Sequence, residues 1–451
     1  MSFKSLARAS AIALVLAVVP GVAQAMSLRD ALEYAYANNP NIMSALLSVK
    51  SSAENIALAE AGKRPQISAS ATARGNWSVT GGTYTTGSSY ALGLDYRQTL
   101  FDSFKTESEI EQARALTELS KYALRNEEQN VLLSVAQAYM DVLSNSQLVQ
   151  LRSENVSFFQ AQLDSADTRL RLGEGTQIEV SQARTRLAAA VAGQRSAMAN
   201  LQAAQASFER WVGRKPQNLT SSFNFNGMLP KSLDSAMSQA DAQHPAVLTA
   251  RAAVRAAAAG TDAARAAFGP TLNLIGSLCG INCFGPGQTG MSGSVSLSLS
   301  VPIYSGGALG ASVRKANIEH IKSEVDALST RDQVREAVAA SWASLQNATA
   351  QIESAQSQVS SAQLVVDGTI QERDVGQVTT LDVLNAQAEL TSAREVLITA
   401  SASRVIASFA LLASTGRLSA PDLNLNVSVH SADGYIATVE DVWQELRAID
   451  Q

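Results

Sequence analysis

Four stretches of the chain alternate between apolar and polar positions. In the first, Ile67, Ala69, Ala71, Ala73 and Trp77 fall on one side of an extended chain, and Ser68, Ser70, Thr72, Arg74 and Asn76 on the other. In the second, Tyr90, Leu92, Leu94, Tyr96 and Leu100 oppose Gly93, Asp95, Arg97 and Thr99. The third, carried by Leu272, Leu274 and Leu278, is weaker. The fourth sets Val295, Leu297, Leu299 and Val301 against Ser294, Ser296, Ser298 and Ser300. A period of two predicts strands with one apolar and one polar face, over about 66–77, 89–101, 271–279 and 291–303. Each is about ten residues, the length at which a tilted strand crosses a bilayer. A half-buried soluble sheet alternates in the same way, so the pattern by itself leaves both readings open.

Between the strand pairs the apolar spacing changes to a helical one. No Pro or Gly occurs from Asp102 to Leu172. A helix of that length would measure roughly 105 Å. Leu132, Val135, Ala136, Tyr139, Val142 and Leu143 follow a period close to 3.5, and Val338, Ala339, Trp342 and Leu345 follow it in a later segment. Long coiled helices are therefore expected over about 102–172, 177–213, 309–375 and 379–415, with small residues at the seam.

The chain is written twice. Ser27-Leu28, Ala31, Asn39-Pro40 and Pro65 reappear 205 positions later as Ser232-Leu233, Ala236, His244-Pro245 and Pro270. With the offset reduced to 203, Phe101 falls on Tyr304, Gly173 on Gly376, Gln182-Ala183 on Asn385-Ala386 and Gly213 on Gly416. The expected organisation is one repeat over 27–231, a second over 232–416 and a tail over 417–451. Each repeat has the same order: two short helices, two strands, two long helices.

The N-terminus sets the compartment. Lys4 and Arg8 precede an apolar run from Ala9 to Val19, and Ala23-Gln24-Ala25 is a small-x-small site. This is a secretory signal peptide over 1–25. Its removal takes the net charge from −5 to −7, which argues against a nucleic-acid partner. No later stretch approaches 18 consecutive apolar residues, so no transmembrane helix is expected. An exported chain with amphipathic strands and long helices points to a membrane barrel. Four strands cannot close around an aqueous pore, and a lone sheet in lipid leaves its edges unpaired. A barrel therefore requires several copies of the chain.

A duplicated unit of this kind behind a signal peptide resembles the TolC family of outer-membrane efflux proteins. The resemblance spans Ser27 to about Leu418. Its marks are Leu28-x-x-Ala31-Leu32 with Asn39-Pro40, Arg64-Pro65, Leu100-Phe101-Asp102, and Pro302-Ile303-Tyr304-Ser305-Gly306-Gly307. Later marks are Arg169-x-x-x-Gly173, Arg373-Asp374-Val375-Gly376 and Leu381-Asp382-Val383-Leu384-Asn385-Ala386-Gln387. The resemblance implies an α+β membrane protein, in which a homotrimer forms a 12-stranded barrel continuous with a 12-helix coiled-coil tube. It implies an outer membrane of a Gram-negative type with a long periplasmic extension. The partners implied are outer-membrane lipid, a periplasmic adaptor and an inner-membrane pump of RND or ABC type. Drugs, other toxic compounds or proteins would pass through unchanged, as in multidrug efflux or type I secretion. No enzyme activity and no cofactor are implied.

The same resemblance assigns residues. Acidic positions after the second helix turn narrow the pore; here they are Asp382 and Asn385, so the ring carries half the usual charge. Asp382 also suits a helix N-terminus after Thr379 and Thr380. Closed-state contacts fall on Glu179 and Arg373, expected to form an ion pair, and on Ile178 and Val378. The turns Leu172-Gly173-Glu174-Gly175-Thr176 and Val375-Gly376-Gln377 would dock the adaptor, and glycine there also suits a plain helix cap.

The only cysteines, Cys279 and Cys283, flank a three-residue spacer and are candidates for a disulfide in an oxidising compartment. With no histidine nearby they make a poor metal site, and no metal centre is expected. No nucleophile elbow, zinc-protease or phosphate-loop motif occurs. The main alternative is a periplasmic coiled-coil adaptor or structural protein without a pore, and a secreted hydrolase is a weaker one. The tail from Tyr435 to Leu446 has a helical stripe of Val439, Val442, Trp443 and Leu446.

Overall fold

The computed structural model describes residues 26–220, 226–280 and 290–440. The expected signal peptide, Cys283, and Val442, Trp443 and Leu446 of the tail stripe lie outside the described residues.

Each repeat begins with the same pair of capped helices. Ser27 opens α1 (Leu28–Asn38): its hydroxyl accepts from the Asp30 amide while the Asp30 carboxylate accepts from the Ser27 amide. Such a reciprocal cap satisfies two backbone donors that a helix start leaves orphaned. Asn39 ends α1 and caps α2 (Pro40–Glu60), its Oδ1 accepting from the Asn41 amide at 2.9 Å. The second repeat opens with α5 (Leu233–Gln243) and α6 (Pro245–Ala266). There His244 takes the place of Asn39, and its Nδ1 accepts from the Ala246 amide at 3.1 Å. Proline follows both caps, where its missing N–H costs nothing.

The strands are β1 (Gln66–Thr80), β2 (Thr83–Phe101), β3 (Thr271–Gly280) and β4 (Met291–Ser300), an antiparallel sheet in the order β1-β2-β3-β4. The first hairpin is longer than expected. β1 and β2 stay paired to Thr80↔Thr83, so most of the stretch between the two expected strands, 78–88, is strand as well. The turn is Gly81-Gly82 alone, both with positive φ (56° and 82°), the conformation of a two-residue hairpin turn. Small polar residues tolerate an exposed strand because the ladder itself satisfies their backbone. β4 stops earlier than expected, at Ser300; Pro302 lacks the donor that a continued ladder needs.

Register places the alternation on common faces. Ile67, Ala69 and Ala71 lie opposite Tyr96, Leu94 and Leu92. Leu94 lies opposite Leu278, and Leu272 and Leu274 opposite Leu299 and Leu297. The other face carries Ser68, Asp95, Ser277 and Ser294 in successive strands, with Ser277 and Ser294 hydroxyls 2.8 Å apart. A register shift between Thr99 and Phe101 re-aims the end of β2. Apolar side chains stay uncovered: Trp77, Val295, Leu297 and Leu299 are 65–80% exposed.

Out of the sheet, the long helices are α3 (Lys105–Arg171) and α4 (Gln177–Val212) in the first repeat, α7 (Ala308–Asp374) and α8 (Thr380–Ser414) in the second. α3 and α7 are both 67 residues, about 100 Å each. Both follow a pair of left-handed residues, Ser103-Phe104 in one repeat and Gly306-Gly307 in the other. Glycine adopts that backbone freely; at Ser103-Phe104 it costs on the order of 1–2 kcal/mol per residue. The Ser103 hydroxyl donates to the Pro270 carbonyl at 2.8 Å, which ties the strained corner to the start of β3.

The two repeats pack unequally. α3 sits at the centre of the protomer, against α1, α2, α4, α6 and α8, whereas α7 touches α5, α6 and α8. Leu132, Val135, Ala136 and Tyr139 of α3 are fully buried. Of the matching stripe in α7, Val338 is buried but Ala339, Trp342 and Leu345 are only half-buried. The main core joins α1, α2, α3, α4 and the end of α8 with Leu418, Ala420 and Leu423 of the tail. Truncating one such leucine to alanine costs about 2–5 kcal/mol. α8 is long and apolar enough to cross a membrane by length and composition, although polar residues interrupt its apolar run. Its apolar residues Leu390, Phe409, Leu411 and Leu412 are buried among neighbouring helices instead.

Within the described residues the tail packs on this core and reaches α9 (Asp433–Glu440), which packs on α2. His430 stacks on Tyr36 with centroids 5.0 Å apart. The Tyr36 hydroxyl donates to Glu128 Oε1 at 2.7 Å and accepts from the His430 amide at 3.2 Å. Burial pushes the Tyr36 and Glu128 pKa values up. Tyr435 donates to Glu54, which raises the tyrosine to about 12.

The His244 cap works only with an unprotonated Nδ1, and burial holds its pKa below the usual histidine range. A depressed folded pKa gives stability that is complete above the unfolded value of about 6.5. It is lost as pH falls through that value and the lower folded one. Melting curves between pH 8 and 5 should therefore show an acid loss that His244→Asn abolishes while keeping the cap. Loss of the cap is worth about 1 kcal/mol.

Candidate functional site at the helix-tip turns

The turns between α3 and α4 and between α7 and α8 are built alike. Gly173 and Gly376 take φ of 78° and 77°, the left-handed geometry that ends a helix without a Cβ penalty. Glu174 and Gly175 amides then return to the Arg169 carbonyl, and the Gln377 amide to that of Glu372. Thr176 caps α4, with Glu179 as the reciprocal partner; Thr379 caps α8, with Asp382 in the same role.

These caps decide where two of the expected gate residues point. Glu179 Oε2 accepts from the Thr176 amide at 3.0 Å. Arg373 donates to Asp374 at 2.7 Å and to Gln162 Oε1 of α3 at 2.8 Å. Within the protomer each charge has another partner, and the expected Glu179–Arg373 pair is not among the ion pairs of the described residues. Helix-start amides are fixed and close, so they outcompete a distant guanidinium for the carboxylate. Leu172, Ile178 and Val375 are exposed apolar residues, about 70% accessible each, and Val378 is half-buried.

Asp382 is fully exposed. Its Oδ2 accepts from the Thr379 hydroxyl at 2.6 Å and the Thr379 amide at 2.8 Å. Those bonds favour the charged form and hold the carboxyl below its ordinary pKa. Asn385 lies one turn on, and its Oδ1 accepts from Arg186 of α4 at 2.7 Å.

The Arg186 link belongs to a polar seam absent from the sequence expectations. The Arg152 guanidinium of α3 forks onto the Glu395 carboxylate of α8. The Thr391 hydroxyl donates to buried Asn155 at 3.1 Å. With Arg373–Gln162, these contacts stitch the coil of one repeat to that of the other. No periodicity marks them, because the partners lie about 200 or more positions apart. Among the described residues no group of acidic, histidine or cysteine side chains is disposed to hold a metal ion. Cys279, near the end of β3, is not a free thiol.

An antiparallel sheet with an outward apolar face, continuous with helices of 67 residues, defines the class: a membrane channel with a helical extension. The outer membrane efflux protein family matches residues 31–214 and again 236–417, once per repeat. The chain belongs to this family, the TolC family, and is an outer-membrane efflux or secretion channel with a periplasmic tube. It is 35% identical to the outer membrane efflux protein BepC of Brucella suis, over 94% of this chain and 92% of that one. It is 28% identical to the alkaline protease secretion protein AprF of Pseudomonas aeruginosa, over 83% and 81%. The Campylobacter jejuni CmeC outer membrane channel superposes with a TM-score of 0.77 at 15% identity, covering 92% and 89%. That likeness is one of fold. Family membership sets aside the adaptor alternative.

Thr379→Val should loosen the α8 start and let the Asp382 pKa rise toward the ordinary carboxylate value. Exchange of the amides from Thr380 to Val383 should quicken severalfold, as read by hydrogen–deuterium exchange. Unchanged exchange would mean the cap does not hold this turn.

Proposed function

We propose that three copies of this chain close a 12-stranded barrel and a 12-helix tube, a passive exit duct of a tripartite efflux system. The open sheet carries this reading. β1 and β4 each have one unpaired edge among the described strands, and their apolar face is uncovered. In hydrocarbon neither edge is tolerable alone. Edges of neighbouring copies satisfy each other in a closed, symmetric ring. The uncovered stripe of α7, Ile318, Ile321, Val325 and Leu328, supports the same arrangement: it has the spacing of a helix seam and no partner within the protomer.

The exposed apolar tips, with Leu172, Ile178 and Val375, suit docking of a periplasmic adaptor, which would link the duct to an inner-membrane pump. In the closed state Asp382 of each copy would narrow the pore, and three such carboxylates near the axis would favour cations. The pump, not the duct, would supply the energy. The name of the 35% identical relative speaks of efflux, so small-molecule export is the reading preferred over protein secretion.

Protein extracted in mild detergent from outer membranes should run at three times the protomer mass, and a stable monomer there would refute the closed barrel. In planar bilayers, Asp382→Asn should weaken block by multivalent cations by about tenfold. Arg373→Ala should raise resting conductance severalfold by freeing α7 from Gln162. If both variants conduct like the parent, neither residue lies at the constriction.

A further inference from the structure

A half-enclosed cavity of about 380 Å3 lies beside the junction of α5 and α6, away from the tip turns. Three segments meet there. α3 supplies Arg125, Glu128 and Gln129; the junction of α5 and α6 supplies Pro245 and Leu248; the tail supplies Asp422 and Val429 among others.

The floor of the cavity is polar and incompletely bonded. Glu128 is 6% exposed and Gln129 4%. Glu128 Oε1 accepts from Tyr36. Neither Glu128 Oε2 nor the Gln129 amide has a hydrogen-bond partner among the described residues. Both groups line the cavity, and neither belongs to the polar atoms sealed off from all open space. The free space they reach is therefore the cavity. Buried polar groups left in that condition are costly, and native proteins give them partners.

The chemistry of the walls selects among partners. Water would fill the volume with on the order of ten molecules, but Pro245, Leu248, Pro421 and Val429 offer those molecules few bonds. Water against apolar walls is displaced at a gain. A bare metal ion is poorly served, because one carboxylate and one amide give too few ligands. The lining sets two carboxylates, Glu128 and Asp422, against one guanidinium, Arg125, so an anion is disfavoured. An ammonium group brings several N–H donors to Glu128 Oε2 and Gln129 Oε1 together, and a hydrocarbon body covers the apolar walls.

We propose that this cavity is a binding site for a small amphipathic organic cation, a primary amine of about ten heavy atoms, whose ammonium group sits on Glu128 and Gln129. Burial raises the Glu128 pKa by more than the Tyr36 bond and the nearby His430 and Arg125 lower it, so an ammonium group there would favour its charged form. Bound there, such a molecule would fasten α3 of the first repeat to the His244-Pro245 junction of the second and to the tail. The site is part of the protein wall and does not depend on the identity of the cargo.

Saturation-transfer NMR on the full chain in detergent, with phenethylamine as probe, tests the proposal. The amine should bind saturably with a dissociation constant on the order of 1 mM. Phenethyl alcohol, equal in size but uncharged, should bind at least tenfold more weakly. Glu128→Gln keeps an acceptor for Tyr36 and should weaken the amine about tenfold or more. Leu248→Trp, which fills the cavity from its apolar side, should abolish binding. Either of two results would overturn the site: no saturable binding, meaning a water-filled notch only, or equal binding of amine and alcohol. Amine binding that survives both substitutions would place the ligand elsewhere.

Discussion

A strand in hydrocarbon must have every backbone N–H and C=O paired, and this requirement governs the rest of the architecture. The four strands of one chain satisfy each other through three ladders and leave two edges open. Everything below the sheet follows from holding those edges in position. Both strand pairs lead into long helices through a left-handed corner. At one corner the chain uses Gly306-Gly307, which adopt the conformation freely; at the other it uses Ser103-Phe104, which do not. The Ser103 bond to Pro270 shows what holds the costly version in place.

Duplication supplied two similar halves, and packing made them different. α3 became the central helix and carries most of the core, while α7 keeps an uncovered seam. The difference reaches down to single caps. Asn39 and His244 do the same work with an oxygen and a nitrogen acceptor, but only the histidine can lose its acceptor to a proton. The tail then packs on the first half through His430 on Tyr36 and shares the core with the end of α8 through Leu418, Ala420 and Leu423.

The tip combines strong local order with weak long-range links. Reciprocal caps and left-handed glycines fix each turn by short contacts within a few residues. The contacts between repeats join an apolar cluster, Leu384 of α8 against Phe159, Ala183 and Ala190 of the first repeat, to polar links: Arg186 to Asn385, Arg373 to Gln162, Arg152 to Glu395, and Thr391 to Asn155. Polar links of this kind contribute modestly and can exchange partners.

Much was determined by the sequence alone. The four strands, the four long helices, the internal repeat and the tip turns were legible because each rests on a local rule: a period of two or 3.5, a capping pair, a glycine at a left-handed position. Strand ends were less legible: the expected first strand stopped at 77, and pairing with β2 carries it on to Thr80. The tertiary structure alone decided which copy of each repeated residue is buried, that Glu179 caps its own helix within the protomer, and that Arg186 and Arg152 reach across repeats. It alone assembled Glu128 and Gln129 with the tail around one cavity. These outcomes depend on which distant segment arrives at a given helix face, and no spacing within a window of sequence encodes that.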